Sequence, residues 1–373
     1  MKSYKIIIIS ILILMIAIFV IRFCISPQNG KKLTYDKPTH IVSVEDTRLF
    51  YNCMNENDKA LYEIFLDLVN NKDTADYTST VYMKTETFQE LSFDHIWNVY
   101  YGMVFDHPEF FFLLTGGESR IEGYNSEIKD TTVLTFYLTE APEGENQDIE
   151  TFEKAADDFL LDIDLSAEKA EIELQIHDKL LEEITYDYEL FESNYQDYYD
   201  LGATAYGALV SHKAICSGYA SAFQYLLQRA GIPCAYVTGT AYYPEENNNR
   251  PDGTKDSNHA WNLVKLDDAY YEVDTTWDDF EMEDTDIDES FVNEMYEDTD
   301  AMYNVTHTFY NLTTREIEYY RQQENTTFYI EGYEPYNPSG DCHHYRGLNE
   351  ELEDDPISIY LNNLLPEALG KAG

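Results

Sequence analysis

Positive charge is scarce in this chain. Its 373 residues carry 24 lysines and arginines against 71 aspartates and glutamates, a net charge of −47. A surface of that sign repels phosphates and anionic headgroups, which excludes nucleic-acid binding. Cysteine is sparse as well, with five residues. Recognisable metal-ligand spacing is missing. The stretch 278–300 holds twelve carboxylates and no basic residue, and Asp284, Asp286 and Asp288 alternate. The calcium-loop template nevertheless fails there, with no glycine at its sixth position and Met295 at its twelfth, so a solvated acidic loop is expected. Cys342-His343-His344 has no signalled fourth ligand. No metal site and no cofactor is therefore expected. No internal repeat is present either.

What the chain does hold is a folding composition. Hydrophobic residues make up 44% and aromatic residues 15%, with 33 tyrosines, whereas disordered acidic chains are poor in aromatics. The first 26 residues read as a membrane anchor or signal segment. Lys2 and Lys5 precede an apolar run from Ile6 to Ile21, broken only by Ser10. As a helix that run spans about 24 Å, shorter than a hydrocarbon core of about 30 Å. No small-x-small cleavage site follows, and Ile-Arg-Phe before Cys24 is not a lipidation signal. An uncleaved anchor is preferred, and cleavage would make the body secreted.

Residues 27–43 form a polar linker, and 44–190 read as a helix-rich N-terminal region. Helices are expected over Glu56–Asn71 and Phe93–Phe105, with Leu61, Ile64, Phe65 and Leu68 on one face of the first. Strands are expected at Phe110–Leu114 and Thr132–Leu138, with a Gly116-Gly117 loop between them. Further helices are expected near Ile149–Leu161 and Ala167–Ile184, the latter burying Leu174, Ile176, His177, Leu180, Leu181 and Ile184. A short helix near Thr313–Gln323 precedes a C-terminal tail, 346–373.

The chemistry concentrates between Ala214 and Asp279. After Cys216-Ser-Gly, apolar or small residues fall at Tyr219, Ala222, Phe223, Leu226, Leu227 and Ala230, one buried helical face closed by Gly231 and Pro233. Cys216 thus lies at or just before a helix N-terminus, where unpaired N–H groups and the dipole favour a thiolate. Two alternating segments, Ala260–Leu266 and Ala269–Trp277, flank Asp267-Asp268. A tight turn there pairs Leu266 with Ala269, Val264 with Tyr271, Trp261 with Asp274 and His259 with Thr276. His259 and Asp274 become same-face diagonal neighbours at roughly 7 Å. The pattern supplies nucleophile (Cys216), base (His259) and orienter (Asp274). Each residue alone has a structural reading: a core thiol, a satisfied polar histidine, a turn cap. Trp261 and Trp277 read as core or cleft walls. Tyr206 and Tyr219 read as packing residues, with Tyr206 also an oxyanion-donor candidate.

These pieces resemble the transglutaminase-like superfamily, of papain-like cysteine fold. They are Cys216-Ser-Gly-Tyr-Ala with its helix, Gly231-Ile-Pro, Tyr236-Val-Thr-Gly-Thr, His259-Ala-Trp-Asn and Val273-Asp-Thr-Thr-Trp-Asp278. Asp106-His-Pro-Glu-Phe-Phe looks like a piece that precedes this domain in bacterial membrane-anchored members. The resemblance covers about a sixth of the chain. It implies an α+β fold, with a Cys-bearing helix packed on an antiparallel sheet carrying His and Asp, an N-terminal α/β extension, and a domain spanning 191–345. Papain-type enzymes carry a glutamine shortly before the cysteine. Val210 stands six residues before Cys216 here, so that oxyanion donor is not carried over, and the Cys216 N–H is the candidate. With Cys216 as nucleophile and Cys24 in the N-terminal membrane or signal segment, Cys53, Cys234 and Cys342 remain, enough for at most one disulfide. Cys234 reads as a buried, inert thiol.

The resemblance implies acyl transfer through a thioester on a peptide or glutamine carboxamide, of transglutaminase or peptidase/amidase type. It points to a protein or peptide substrate, in cell-wall or surface protein, with the body outside the cytoplasm. The alternative is a non-catalytic surface binding or scaffold protein built on the same fold. Loss of any triad residue would favour the alternative, and all three are present.

Overall fold

A computed structural model describes residues 34–35, 45–71, 78–84, 93–114, 121–128, 131–138, 145–193, 201–242, 256–279, 307, 309–319, 343–345 and 356–370. The apolar N-terminal run and most of the acidic stretch lie outside them. Among the described residues no helix is long and apolar enough to cross a membrane.

In chain order the N-terminal part contains β1 (Thr34–Tyr35), α1 (Leu49–Cys53), α2 (Glu56–Asn70), β2 (Thr78–Lys84), α3 (Phe93–Asp106), β3 (Ile121–Ile128), β4 (Thr131–Leu138) and α4 (Glu145–Leu160). Then come α5 (Lys169–Glu183), β5 (Thr185–Tyr186), α6 (Tyr188–Glu192), β6 (Lys213–Ala214), α7 (Cys216–Arg229), β7 (Cys234–Tyr242), β8 (Asp256–Leu266), β9 (Ala269–Val273) and α8 (Thr275–Asp278). The chain ends with α9 (Thr314–Tyr319), β10 (His343–Tyr345) and α10 (Pro356–Leu364). Two four-stranded antiparallel sheets result, β1-β2-β4-β3 and β10-β7-β8-β9. A small parallel pair joins β5 to β6.

The expected helices over 56–71 and 93–105 are present as α2 and α3. Asn55 caps α2, its side chain accepting from the Asn57 and Asp58 N–H groups at 2.9 and 3.1 Å. Leu61, Ile64, Phe65 and Leu68 are buried. Each such side chain contributes about 1.5–3 kcal/mol when taken from water. Phe65 meets Phe136 of β4 edge to face at 5.0 Å between ring centroids, which fixes α2 on the first sheet.

Three sequence expectations are corrected. Phe110–Leu114 is not a strand: Pro108–Leu113 forms a 3-10 helix, with Pro108 in its first turn. Its conformation follows from side-chain demands on both sides. Glu109 pairs with Arg48 at 2.9 Å and with His107 at 2.8 Å, while Phe111 packs between Phe152 and Tyr206. Leu174 of α5 is exposed; the buried face of that helix uses Ile172 and Glu173 with Ile176, His177, Leu180 and Leu181. The third correction concerns Asp274, which lies beyond the end of its strand. β9 stops at Val273, and Asp274 caps the short helix α8. Strands β1, β2 and β3 have no counterpart in the sequence reading, and the Gly116-Gly117 loop falls outside the described residues.

One contiguous hydrophobic cluster runs from Leu49 and α2 through α3, α5, α7 and the second sheet to Leu361, Leu365 and Ala368. Polar groups stitch the same contact. Asp106 accepts from the backbone of Phe50 and Tyr51 at 3.1 and 2.8 Å and from the Tyr62 hydroxyl at 3.1 Å. Arg48 donates to the Asp106 carbonyl at 2.6 Å and to Gln228 of α7. The Asp-His-Pro-Glu segment is therefore the joint between the N-terminal helices and α7.

Candidate active site

The chain enters α7 from an extended Ile215, so Cys216 is the first helical residue. Its N–H belongs to the first turn, where no intrahelical acceptor exists. Close packing behind it depends on Gly218. A methyl group added there would lie 2.7 Å from the Ala214 Cβ, 2.8 Å from the Gly202 carbonyl and 2.9 Å from the Thr204 carbonyl. Three amide side chains then hold α7 in place. Asn262 of β8 donates to the Ala220 carbonyl at 2.9 Å. Gln224 donates to the Phe105 carbonyl at 2.9 Å and Gln228 to the Asp106 carbonyl at 3.3 Å. All three are buried, so each bond satisfies groups that would otherwise be costly.

The hairpin β8–β9 has the expected register: Leu266 opposes Ala269 and Val264 opposes Tyr271. The Asp267-Asp268 turn is realised with Asp267 at φ 54°, a left-handed conformation that aspartate tolerates better than most residues. His259 lies on β8 opposite Gly239 of β7. The strand pairing ends at Asn262–Val273, and the backbone then turns into α8. That turn divides the Asp274 carboxylate between two tasks. Oδ1 accepts from the N–H groups of Thr276 and Trp277 at 3.0 and 3.2 Å. Oδ2 meets His259 Nε2 at 2.6 Å.

With Nε2 engaged by Asp274, the remaining ring nitrogen of His259 is the one available to the thiol, and Cys216 lies near enough to favour the charged imidazole. Cys216, His259 and Asp274 are all buried. Burial works against the imidazolium. The charge and hydrogen bond of Asp274, together with Cys216, outweigh it and push His259 up to about 10. The three groups chosen from sequence are thus brought together. Trp261 and Trp277 flank the imidazole, with ring centroids 6.0 and 5.4 Å away. Cys216 packs with Ala220, Ala260 and the half-buried Tyr236. Tyr206 stacks on Phe152 and meets Phe111 at a tilt, a packing role.

Sequence reasoning left Asp278 without a role and missed Phe309. The Asp274 N–H donates to the Phe309 carbonyl at 2.9 Å, and the Phe309 N–H donates to Asp278 Oδ1 at 2.8 Å. The chain beyond the acidic stretch therefore returns to hold the residue that orients His259. A contact across 31 positions leaves no periodic signal in sequence. Cys53, Cys216 and Cys234 are free thiols, and burial pushes Cys234 well above the usual thiol range.

A helix-borne thiol set against an imidazole–carboxylate pair at a sheet edge defines a fold of the cysteine-enzyme type. Residues 162–275 match the family model described as the transglutaminase-like superfamily, and the chain carries a transglutaminase-like domain with an α+β, papain-like core. The match begins at residue 162, ahead of α5. Among solved structures, the chain is similar to one described as a TGase, with 14% identity, 49% of this chain and 51% of that chain covered, and a TM-score of 0.27. It is similar to a proposed cysteine protease from Cytophaga hutchinsonii, with 13% identity, 42% and 62% coverage and a TM-score of 0.26. It is also similar to a proposed protease from Parabacteroides distasonis, with 11% identity, 42% and 36% coverage and a TM-score of 0.21. The chain spans less than two thirds of the length of each of these structures. No curated protein matches.

Proposed function

We propose that this protein is a cysteine-dependent acyltransferase or peptidase acting on peptide bonds or glutamine carboxamides at the cell surface. The observation that carries the reading is the 2.6 Å contact between His259 and Asp274, with Cys216 at a helix N-terminus as the other partner of His259. His259 takes the thiol proton, and Asp274 fixes the tautomer and stabilises the imidazolium. The Cys216 sulfur attacks the carbonyl carbon and forms a C–S bond. The oxyanion receives the Cys216 N–H. As the intermediate collapses, the C–N bond breaks and His259 returns its proton to the leaving ammonia or amine. Water or a second amine then attacks the thioester and restores the thiol. Water makes the enzyme a peptidase or amidase, and an amine makes it a transglutaminase. The N-terminal apolar run supports attachment to a membrane, and the resemblance to exported bacterial proteins favours a body outside the cytoplasm with cell-wall or surface protein as substrate.

The test offers the full-length chain a glutamine-bearing protein, with and without a fluorescent primary amine. The expected result is a substrate adduct on Cys216 that hydroxylamine removes, absent in Cys216→Ser and His259→Ala. If Cys216 instead alkylates slowly, with an ordinary thiol pH dependence that His259→Ala leaves unchanged, the reading is wrong.

A further inference from the structure

A second constellation lies behind the triad. His177 and Asp178 on α5 meet His307, which follows the acidic stretch, and one ligand atom from each lies within 4.8 Å of the others. Both imidazoles aim at the same carboxylate oxygen, Asp178 Oδ1: His177 Nδ1 at 2.9 Å and His307 Nε2 at 2.8 Å. Their rings stack with centroids 5.2 Å apart at 29°. His177 is buried, Asp178 half-buried and His307 exposed, so the cluster has a rigid floor and an open side. The other nitrogen of His177, Nε2, faces Oδ2 of the fully buried Asp278 at 3.2 Å. That is the arrangement in which a metal-ligating histidine gives its remaining N–H to a carboxylate.

We propose that His177, Asp178 and His307 bind a divalent transition-metal ion of the Zn2+ type, with Asp278 orienting His177 from behind. Two imidazoles and one carboxylate suit zinc and its neighbours, whereas calcium and magnesium take oxygen ligands. Three protein ligands leave a coordination position for water. The ion's role is to tie the returning chain to α5. His307 stands two residues before Phe309, whose carbonyl accepts from the Asp274 N–H and whose N–H reaches Asp278. The binding site stands on its own geometry, and only its influence on the triad rests on the function proposed above.

The experiment strips the full-length chain with a chelator and titrates it with Co2+ alone. A saturable, intense visible band of the four-coordinate kind is expected, displaced by Zn2+ and not by excess Ca2+. His307→Ala and Asp178→Asn, both on the open side, should abolish the band while metal-free melting stays that of the parent. Asp278→Asn should weaken Zn2+ binding about 10–100-fold, as loss of a supporting carboxylate does elsewhere. Only weak six-coordinate absorption, or a band that Ca2+ displaces, would mean adsorption to the acidic surface and would overturn the proposal. So would Zn2+ affinity unchanged in His307→Ala. The readouts are binding and spectra, so an inactive Cys216 would not be mistaken for a missing metal site.

Discussion

Replacing Asp274 by asparagine separates the two tasks of its carboxylate. Asparagine is as good a helix cap as aspartate. Its oxygen can keep the bonds from Thr276 and Trp277 that Oδ1 now accepts at 3.0 and 3.2 Å. What is lost is the charge facing His259. Unit charges about 4 Å apart in an effective dielectric of about 20 interact by about 4 kcal/mol. At about 1.36 kcal/mol per decade, that is about three decades of proton affinity. The direction agrees with His259, which stands above its ordinary value although burial opposes its charge. Without Asp274, burial opposes the imidazolium and Cys216 is left to favour it, so His259 is charged far less readily. The assay is the rate of Cys216 alkylation against pH, read by mass spectrometry of the peptide that carries it. In the parent, fast reaction should persist well below the ordinary thiol pKa of about 8.5. In Asp274→Asn the low-pH rate should fall by up to about a thousandfold and approach the parent only in alkaline solution, with melting nearly unchanged. Asp274→Ala should show the same kinetic loss and, in addition, about 1 kcal/mol of lost capping. If Asp274→Asn keeps the parent's low-pH rate, the carboxylate is a cap and nothing more, and the argument from charge collapses.

Three further outcomes follow from the packing. Gly218→Ala gains helix propensity, but its methyl would lie 2.7–2.9 Å from Ala214, Gly202 and Thr204. A net loss of about 1–3 kcal/mol is expected on melting, with slower Cys216 alkylation as the helix start shifts. Arg48→Met should cost about 1–3 kcal/mol in urea unfolding, because it takes the guanidinium from the half-buried Glu109. Against burial, Arg48 and His107 hold that carboxyl down to about 2. Glu173 is displaced the other way: burial raises it from 4.5 to about 7, despite bonds from Asn311 and Tyr310. Folding therefore takes up a proton between those values. The resulting stability, about 3 kcal/mol, is complete below pH 4.5 and is lost as pH rises through 7. Unfolding of Glu173→Gln should lack that part of the pH dependence; an unchanged slope would show that Glu173 is ionised throughout.

Helices with a single apolar stripe were legible in sequence, as α2, α3 and α7 show, because one buried face imposes its period on the residues. The β8–β9 register was legible because the polar Asp267-Asp268 pair between two strand-like segments centres the pairing. Its end was not. Asp274 continues the alternation and yet caps a helix, because Thr276 and Trp277 offer it backbone donors that a two-residue period cannot reveal. Phe110–Leu114 misled through composition: five apolar residues suit a buried strand, but the Arg48–Glu109–His107 contacts pull the segment into a 3-10 turn. The convergence of His177 with His307 was illegible, since residues brought together by the return of a distant segment share no local pattern.

The joint made by Arg48, Asp106 and Gln228 bears on how this domain could be moved between proteins. Residues 162–275 contain Cys216, His259 and Asp274, yet their packing reaches outside that range. Cutting there would strip the far side of α7 of Phe105 and Asp106, whose carbonyls satisfy Gln224 and Gln228, and would remove the Phe309 carbonyl from Asp274. A graft or a minimal expressed fragment would need both flanks, from about Glu45 to Ala368. The stretch that matches the family model is smaller than the unit that must be inherited, or engineered, intact.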